Sequence, residues 1–549
     1  MSDVPHAVTQ TSGQAIVDAL IRNGVDRIFG IPGIHTYLLM DALHERREEI
    51  QFIGTRHEQA AGYMAYGYAK ATGRVGAYTC VPGPGVLNSG AALCTAYAAN
   101  VPVICVTSEI PSAEIGRGHG ILHELPDQLA VLRLLTKWAA RINHPSEAPG
   151  VLSEAFRQML GGRQGPVAIE CPWDVLGVVA PVVALAPAVP AEPPRASPAL
   201  LEKAAALIAA AERPVIFVGS GALGAREEVR ALSKLLQAPV IAHRGGRGIV
   251  GNDEPAGLDP AAGYEYWKGA DLAIAVGTRM ELPYIRWQHR PAGLKTVRID
   301  IDPREIPRRP CDVGLVADAA QALAALNAAL ESRTAGRASR EAQWRALAQA
   351  TRQRYSAAVQ PQVGYLDAIR AALPREGILV EEICQPGFTA RFAYPVFEPR
   401  TYVSCGYQDN LGFGYMTALG VKAAKPDTPV VSINGDGGFL FGVQELATAA
   451  QHGLGVIAVV FNNQCFGNVR RDQKMAFGGR YIGSELVNPD FRALAQAFGI
   501  DAHRVESPAQ LATLLPSLVA ANAPALIEVQ VAPDSEASPW PFYHPWAKY

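Results

Sequence analysis

An α/β chain of three doubly wound parallel-sheet domains is what the sequence predicts, and three observations predict it. Short, uninterrupted apolar runs such as residues 214–218, 429–433 and 456–461 alternate with longer helical stretches along the chain. Runs of this kind are buried parallel strands, and their alternation with helices marks βαβ units. Several junctions carry glycine-bearing turns: Phe29-Gly30-Ile31-Pro32-Gly33, Val81-Pro82-Gly83-Pro84-Gly85, Gly219-Ser220-Gly221 and Gly435-Asp436-Gly437-Gly438. Finally, 549 residues exceed what one core organises, and a hydrophobic content of 49% is ample for several.

The first domain is expected over residues 10–178. It holds the strand-to-loop junction at 29–33, a strand at 51–53, a small-residue helix opening at Thr55-Arg56-His57-Glu58 and running to Ala71, a strand at 76–80 and a closing strand at 166–170. Residues 180–198 are rich in Ala, Val and Pro with almost no charge, and read as a semi-rigid linker. The second domain, 198–331, opens its sheet with the strand 214–218. Residues 332–356, with Trp344, Leu347 and Ala350 at helical spacing, predict a connecting helix. The third domain, 363–533, contains a strand at 378–380 and then one βαβ unit: a strand at 429–433 stopping at Asn434, a helix over 441–452 and a strand over 456–461. A short tail, 534–549, carries the run Trp540-Pro541-Phe542-Tyr543-His544-Pro545-Trp546.

Composition removes several classes of function. A net charge of −2 offers no basic field for nucleic acid and no basic helix for a membrane surface. No apolar run is long enough to span a bilayer, and residues 1–10 lack the charged start and apolar core of a signal peptide. The eight cysteines (80, 94, 105, 171, 311, 384, 405, 465) stand singly, without CxxC. They are expected to be buried thiols of a cytoplasmic protein, not disulfides or zinc ligands.

The third domain's βαβ unit carries the chemistry. Asp436 stands just past one strand and Asn463, 27 residues on, just past the next. Both side chains therefore emerge at the carboxyl edge of a parallel sheet, where open α/β sheets bind ligands. A hard cation such as Mg²⁺ takes oxygen ligands in an octahedron and leaves positions for phosphate oxygens. Asp436, the amide oxygen of Asn463 and a backbone carbonyl, that of Cys465, would supply the protein's share. Gly435, Gly437 and Gly438 let backbone N–H groups approach a diphosphate beside a helix N-terminus that favours anions. A lone Gly-Asp-Gly is an ordinary turn; the strand–helix–strand context and the Asn462-Asn463 pair set this one apart. The middle domain's 219–224 segment matches G-x-G-x-x-G, but the next strand, 239–242, ends in His243-Arg244 and not in the acid a dinucleotide site requires. That turn is read as structural.

Gly-Asp-Gly followed by Asn-Asn, together with Arg56-His57-Glu58-Gln59, Val81-Pro82-Gly83-Pro84-Gly85-Val86-Leu87-Asn88 and the 29–33 junction, resembles in order and spacing the thiamine-diphosphate enzymes that include acetolactate synthase, benzoylformate decarboxylase and benzaldehyde lyase. The resemblance spans nearly the whole chain, and Arg-His-Glu-Gln is most like the acetolactate synthase branch. It implies a first domain that binds the pyrimidine half of thiamine diphosphate, a central Rossmann-like domain, and a third domain that binds the diphosphate with Mg²⁺. It implies that Glu58 hydrogen-bonds the pyrimidine nitrogen and so promotes loss of the thiazolium C2 proton, with Pro32, Gly33, Gly83 and Asn88 in the same half-site. Leu411 matches the bulky apolar floor under the cofactor, and the carbonyl of Asp409 matches the acceptor for its exocyclic amine. Gln385 matches a diphosphate contact, the alternative being a helix-start polar residue; Phe466 follows Cys465 in the diphosphate loop. The chain departs from the family pattern at Asp409-Asn410, where relatives usually carry small residues, and at Tyr415-Met416, where they carry Leu-Pro. Acetolactate synthases hold FAD in the middle domain; no glycine-rich flavin segment follows Gly251 here, so FAD is the lesser alternative. Because the two half-sites come from different subunits in that family, a homodimer is the minimum and a homotetramer is expected.

Two histidines are candidates for proton transfer over the reactive carbon. His35 resembles a histidine of benzaldehyde lyase, and His123 falls where many relatives carry a glutamine near the substrate; a group titrating near neutrality can donate a proton and take one back. Arg117 and Arg286 are candidates for reading a carboxylate or a polar substrate end. His452, His503 and His544 are read as structural. The segment 466–486, with Gly478-Gly479, and the aromatic tail are candidates for closing over the substrate. The expected reaction is decarboxylation of a 2-oxo acid followed by protonation or carboligation. The alternatives are acyloin cleavage, an FAD-containing oxidoreductase and a non-catalytic binding protein, and the joint presence of Glu58, Asp436 and Asn463 speaks against the last.

Overall fold

The computed structural model describes residues 7–287 and 289–545. Trp546 of the aromatic run and most of the leading decapeptide lie outside the described residues. Among the described residues the chain forms three six-stranded sheets, each parallel throughout, and a small two-stranded one.

In the first large sheet the strand Arg27–Gly30 lies between Gln51–Gly54 and Gly76–Cys80, followed by Val103–Glu109, Val167–Pro172 and Trp138–Arg141. In the last, Ile378–Glu381 lies between Tyr402–Val403 and Val430–Gly435, followed by Val456–Asn462, Ala525–Gln530 and Asp501–Val505. Numbered within each domain, both orders are 2-1-3-4-6-5, so the first and third domains repeat one topology. The middle sheet runs Gly257–Leu258, Val240–Ala242, Pro214–Val218, Leu272–Val276, Lys295–Asp300, Val313–Val316, the 3-2-1-4-5-6 order of doubly wound dinucleotide folds. In every sheet the winding reverses beside its first strand. That reversal opens a crevice at the carboxyl ends of the strands, and all four glycine-bearing junctions fall there. The central strands are buried on both faces, which is why they read as unbroken apolar runs. Register sets Gly435 level with Phe461, and Asp436 leaves the sheet beside the segment that carries Asn463.

The first and third domains meet through the helices Glu58–Thr72 and Phe413–Ala424. A methyl group on Gly67 would collide with the Thr417 carbonyl, and one on Gly420 with the Met64 carbonyl. The helices therefore cross backbone to backbone, with Tyr63 and Tyr66 set edge-on to Phe413 at 5.7 and 5.4 Å. Gly420→Val is expected to force them apart at a cost of roughly 1–3 kcal/mol, visible as a lower urea midpoint. An unchanged midpoint would mean that the crossing does not need a bare backbone.

Three elements differ from expectation. The helix expected over 441–452 is instead a 3-10 turn, Val443–Glu445, and a short helix, Leu446–His452, with a separate helical turn Asp436–Phe439 before it. Buried Glu445 turns inward there to accept the Arg56 backbone N–H at 3.0 and 3.1 Å. The start of the 180–198 segment is not free linker, because Val179–Val182 pairs antiparallel with Val8–Thr11. The connecting helix begins later, at Glu341, and ends at Ala358. The aromatic tail is packed in place: Trp540 lies 4.9 Å from Phe388, ring to ring, and Tyr543 is fully buried. All eight cysteines are free thiols, five of them buried. Among the described residues no helix is long and apolar enough to cross a membrane.

Candidate active site

The third domain builds one half of the site. Asp436, only 2% exposed, begins a single helical turn at the end of Val430–Gly435. Its Oδ1 accepts the Gly437 N–H at 2.8 Å, and its Oδ2 accepts Asn488 Nδ2 at 2.8 Å. The same Asn488 nitrogen reaches Asn462 Oδ1 at 2.9 Å, tying the two strand ends together. Burial pushes the Asp436 carboxyl up, and these hydrogen bonds oppose the rise. Asn463 accepts the Cys465 N–H at 3.2 Å and donates to Glu536 at 3.0 Å. Burial pushes Glu536 up to about 7. Neither Asn488 nor Glu536 belongs to a motif, so the sequence reading missed both.

The loop after Asp436 admits no side chains. A methyl group on Gly437 would run into the Phe466 ring, and one on Gly438 into the Glu382 carboxyl. Opposite, Gln385 is the first residue of the helix Gln385–Ala393, yet the cap is Cys384, whose sulfur accepts the Gly387 N–H at 3.4 Å. Capping therefore does not explain Gln385. Its amide nitrogen and oxygen are both buried without a partner, a condition native structures rarely leave unrelieved. A bare-backbone loop, an unsatisfied buried amide, and a desolvated carboxylate beside an asparagine fit a diphosphate with a hard divalent cation.

The floor of this half is the turn from Gly406 to Gly412, with left-handed backbone at Gly406, Asp409 and Gly412 (φ 66, 45 and 79). Its two departures from the family pattern have partners. The Asp409 carboxylate takes Arg244 at 2.9 and 3.2 Å and Arg391 at 2.7 and 3.2 Å. Burial works against its charge, but the Arg391 and Arg244 guanidinium groups hold it well below the usual carboxylate range. Asn410 accepts from Thr95 at 3.2 Å and donates to Tyr63. Beneath them Glu382, fully buried, accepts the Gly412 N–H with one oxygen while the other has no partner.

Burial pushes Glu382 up to about 8 from an ordinary 4.5. The folded chain then keeps a proton that the unfolded chain releases. That contribution to stability is complete below 4.5 and is lost as pH rises through 8. Glu382→Gln is expected to flatten the melting temperature across that window; an unaltered slope would assign the titration elsewhere.

The first domain builds the other half. Glu58 is half-buried at the first position of its helix, where His57 serves as cap, its Nδ1 accepting the Gln59 N–H at 3.1 Å. Glu58 Oε2 accepts Asn88 Nδ2 at 3.0 Å. The Pro32-Gly33 loop closes on Thr36, whose Oγ1 accepts the Gly33 N–H at 3.1 Å. Gly83 (φ 61) donates its N–H to buried Gln128 at 2.8 Å and lies so close under the His123 carbonyl that no side chain fits. His35, 4% exposed, sits with its ring 5.0 Å from His123 and 6.2 Å from Trp173. The Nδ1 atoms of His35 and His123 are buried without partners. Burial, and then the neighbouring His123, hold His35 below the usual histidine range.

The structure thus brings His35, Gly33, Gly83 and His123 into one crevice, with Glu58 and Asn88 paired on the adjoining helices. It does not bring Arg286 there. Arg117 is exposed, and Arg286 belongs to the middle domain, paired with Glu281 at 3.0 Å and lying 5.0 Å over Tyr543. The 466–486 segment forms the helix Gly467–Ala476 and returns so that Phe466 N–H donates to Ser484 at 2.9 Å and Leu486 N–H to Gln464 at 2.8 Å.

In the middle domain Gly219 and Gly221 donate their N–H groups to Val276 and Gly277 at 3.1 and 3.2 Å, knitting the two strand ends as a structural turn does. The same crevice also opens into a cavity of about 660 Å³ lined from all three domains, with Lys70, Arg244, Arg279, Arg400, Asp300 and Asp318 on its walls.

Comparison with known proteins gives concordant matches over each domain. Residues 10–131 match the thiamine pyrophosphate enzyme N-terminal TPP binding domain, 201–326 the central domain and 383–529 the C-terminal TPP binding domain. The chain is 37% identical over 503 residues to a probable 2-ketoarginine decarboxylase of Pseudomonas aeruginosa, covering 89% of each protein. It is 33% identical over 559 residues to a probable acetolactate synthase large subunit of Methanocaldococcus jannaschii, covering 96% of this chain and 92% of that protein. The large subunit of Escherichia coli acetolactate synthase isozyme 1 is 29% identical over 553 residues, with 98% and 96% covered.

Proposed function

The chain belongs to the thiamine pyrophosphate enzyme family, and on that premise we propose that it decarboxylates a 2-oxo acid with thiamine diphosphate and Mg²⁺, the product being protonated or joined to a second carbonyl. The observation that carries this reading is the pair of equivalent crevices. One presents Glu58 with the His35–His123 pair; the other presents Asp436, Asn463 and the unsatisfied Gln385. When bound, thiamine diphosphate supplies a nucleophilic carbon and a sink for the electron pair that carbon dioxide leaves behind. The protein's share is to hold and to move protons.

Asp436, the Asn463 amide oxygen and the Cys465 carbonyl would hold the cation, and Gln385 with the N–H groups of Gly437 and Gly438 the diphosphate. Leu411 and the Asp409 carbonyl would seat the pyrimidine end, with Glu58 against its ring nitrogen. Asn88 fixes the Glu58 carboxyl through the 3.0 Å hydrogen bond. His35, held below the usual histidine range by burial and by His123, is placed to accept a proton; His123 beside it is placed to pass one on. The two halves are completed between two copies of the chain: Leu87 and Phe441, exposed at 52% and 49% beside Asn88 and the floor turn, are surface a partner would cover. A homodimer is the minimum, and a homotetramer is the proposed assembly.

The deciding experiment gives purified protein, thiamine diphosphate and Mg²⁺ a panel that includes pyruvate, 2-ketoarginine, aromatic 2-oxo acids and acyloins, with products read by mass spectrometry. Carbon dioxide with an aldehyde assigns a decarboxylase; carbon dioxide with a longer hydroxyketone assigns a carboligase. Acyloin cleavage without carbon dioxide would replace this reading with a lyase of the benzaldehyde lyase kind. A second reading, a nucleotide such as FAD in the middle domain, is favoured by the size of the cavity and its cationic wall. A visible absorbance scan of the purified protein tests it.

A further inference from the structure

We propose that Arg244, a residue of the middle domain remote in sequence from every thiamine-diphosphate motif, is a positioning residue for thiamine diphosphate, holding the turn that carries Leu411. The inference rests on the thiamine-diphosphate reading above. Asp409 sits at φ 45, in the left-handed region that few non-glycine residues other than Asp and Asn occupy. The turn is gripped from three domains at once. Asn410 ties it to Thr95 and Tyr63 of the first domain, and Arg391 of the third domain holds the Asp409 carboxylate. Arg244 reaches across from the middle domain to that carboxylate at 2.9 and 3.2 Å and to the Gly406 carbonyl.

Arg244 is itself fixed. It is 7% exposed, has left-handed backbone, and is backed by Glu281 at 3.1 and 3.3 Å. Glu281 in turn is held by Arg286 at 3.0 Å and faces His243 at 3.5 Å. Losing Arg244 leaves Asp409 paired with Arg391 and Glu281 paired with Arg286, so no buried carboxylate is stranded. What is lost is the middle domain's hold on the Asp409 carboxylate, two residues before Leu411, while Arg279 still lies 4.9 Å over Tyr407. This gives a reason for Asp409 where relatives carry a small residue: the carboxylate is the handle by which two arginines set the floor.

The test uses the full-length protein and the variants Arg244→Gln, Arg244→Lys and Asp409→Asn. Apo proteins are titrated with thiamine diphosphate and Mg²⁺ by intrinsic fluorescence. Hydrogen–deuterium exchange at C2 of the bound cofactor is followed by NMR, and kcat and KM are measured. The expected result for Arg244→Gln is a fall of C2 exchange and kcat together by about 10–100-fold, the size of loss a misplacement near 1 Å causes, with the KM for the 2-oxo acid within about 2-fold. Arg244→Lys recovers part of the loss, and Arg244→Gln/Asp409→Asn is no worse than the more damaged single variant. Wild-type C2 exchange in Arg244→Gln, or a loss that tracks only a lowered melting temperature, overturns the proposal. If Arg244→Gln does not fold, Asp409→Asn carries the same comparison from the other end of the pair. Failure of the wild-type protein to bind thiamine diphosphate would overturn the family reading of the site as well, an outcome distinct from a bound cofactor indifferent to Arg244.

Discussion

Glu58→Gln is expected to abolish turnover while leaving thiamine diphosphate bound. Glutamine keeps the volume of the side chain at the first turn of Glu58–Thr72, and its carbonyl oxygen still accepts from Asn88. What it cannot do is exchange a proton with the ring nitrogen the carboxyl would face. Positioned proton transfer is worth roughly 10²–10⁴-fold in rate, and a loss of that size in kcat is the expected readout. Fluorescence titration should show the affinity for the cofactor little changed, because the diphosphate half of the site lies on other residues. Turnover close to wild type would remove Glu58 from the mechanism.

The second large effect belongs to Asp436. Its carboxylate is 2% exposed and hydrogen-bonded to Gly437 and Asn488, and burial raises the cost of its charge. A divalent cation held by that carboxylate would relieve the cost and supply positive charge for a diphosphate. Asp436→Ala is therefore expected to weaken thiamine diphosphate binding by more than about 100-fold, and a chelator should release the cofactor from the wild-type protein. Asn488→Ala, which leaves the Asp436 carboxylate but removes a group that orients it, should fall in the range of about 10–100-fold. Binding that survives both Asp436→Ala and chelation would show that the cofactor is held without a metal at this position.

The placement of several candidate site residues could be read from the chain because its determinants are local. Apolar runs ending at Asn434 and Phe461 place Asp436 and Asn463 at a sheet edge, and a short polar stretch before a small-residue helix places Glu58 at a helix start. The features that escaped are long-range. Arg244 and Asp409 are 165 residues apart and meet only because the middle and third domains pack together. Glu382 looks like any strand-end acid until its neighbours bury it. Asn488 and Glu536 approach the Asp436 loop from a connection and from the tail, where no periodicity or spacing points at them. The shared 2-1-3-4-6-5 order of the first and third sheets is likewise a property of strand pairing, and the two domains show no common motif to reveal it. The 441–452 stretch is not one helix: Glu445 is drawn inward to the Arg56 backbone, and the chain there is the 3-10 turn Val443–Glu445. Arg286 carried the right chemistry for a substrate carboxylate; its partner Glu281 and the ring of Tyr543 already occupy it.

The most direct test of the central claim is carbon dioxide release from a 2-oxo acid by the apo protein before and after thiamine diphosphate and Mg²⁺ are added. The site described here predicts no release without the cofactor, release when both components are present, and none from Glu58→Gln under the same conditions. Release that needs no thiamine diphosphate, or that Glu58→Gln sustains at the wild-type rate, would contradict it.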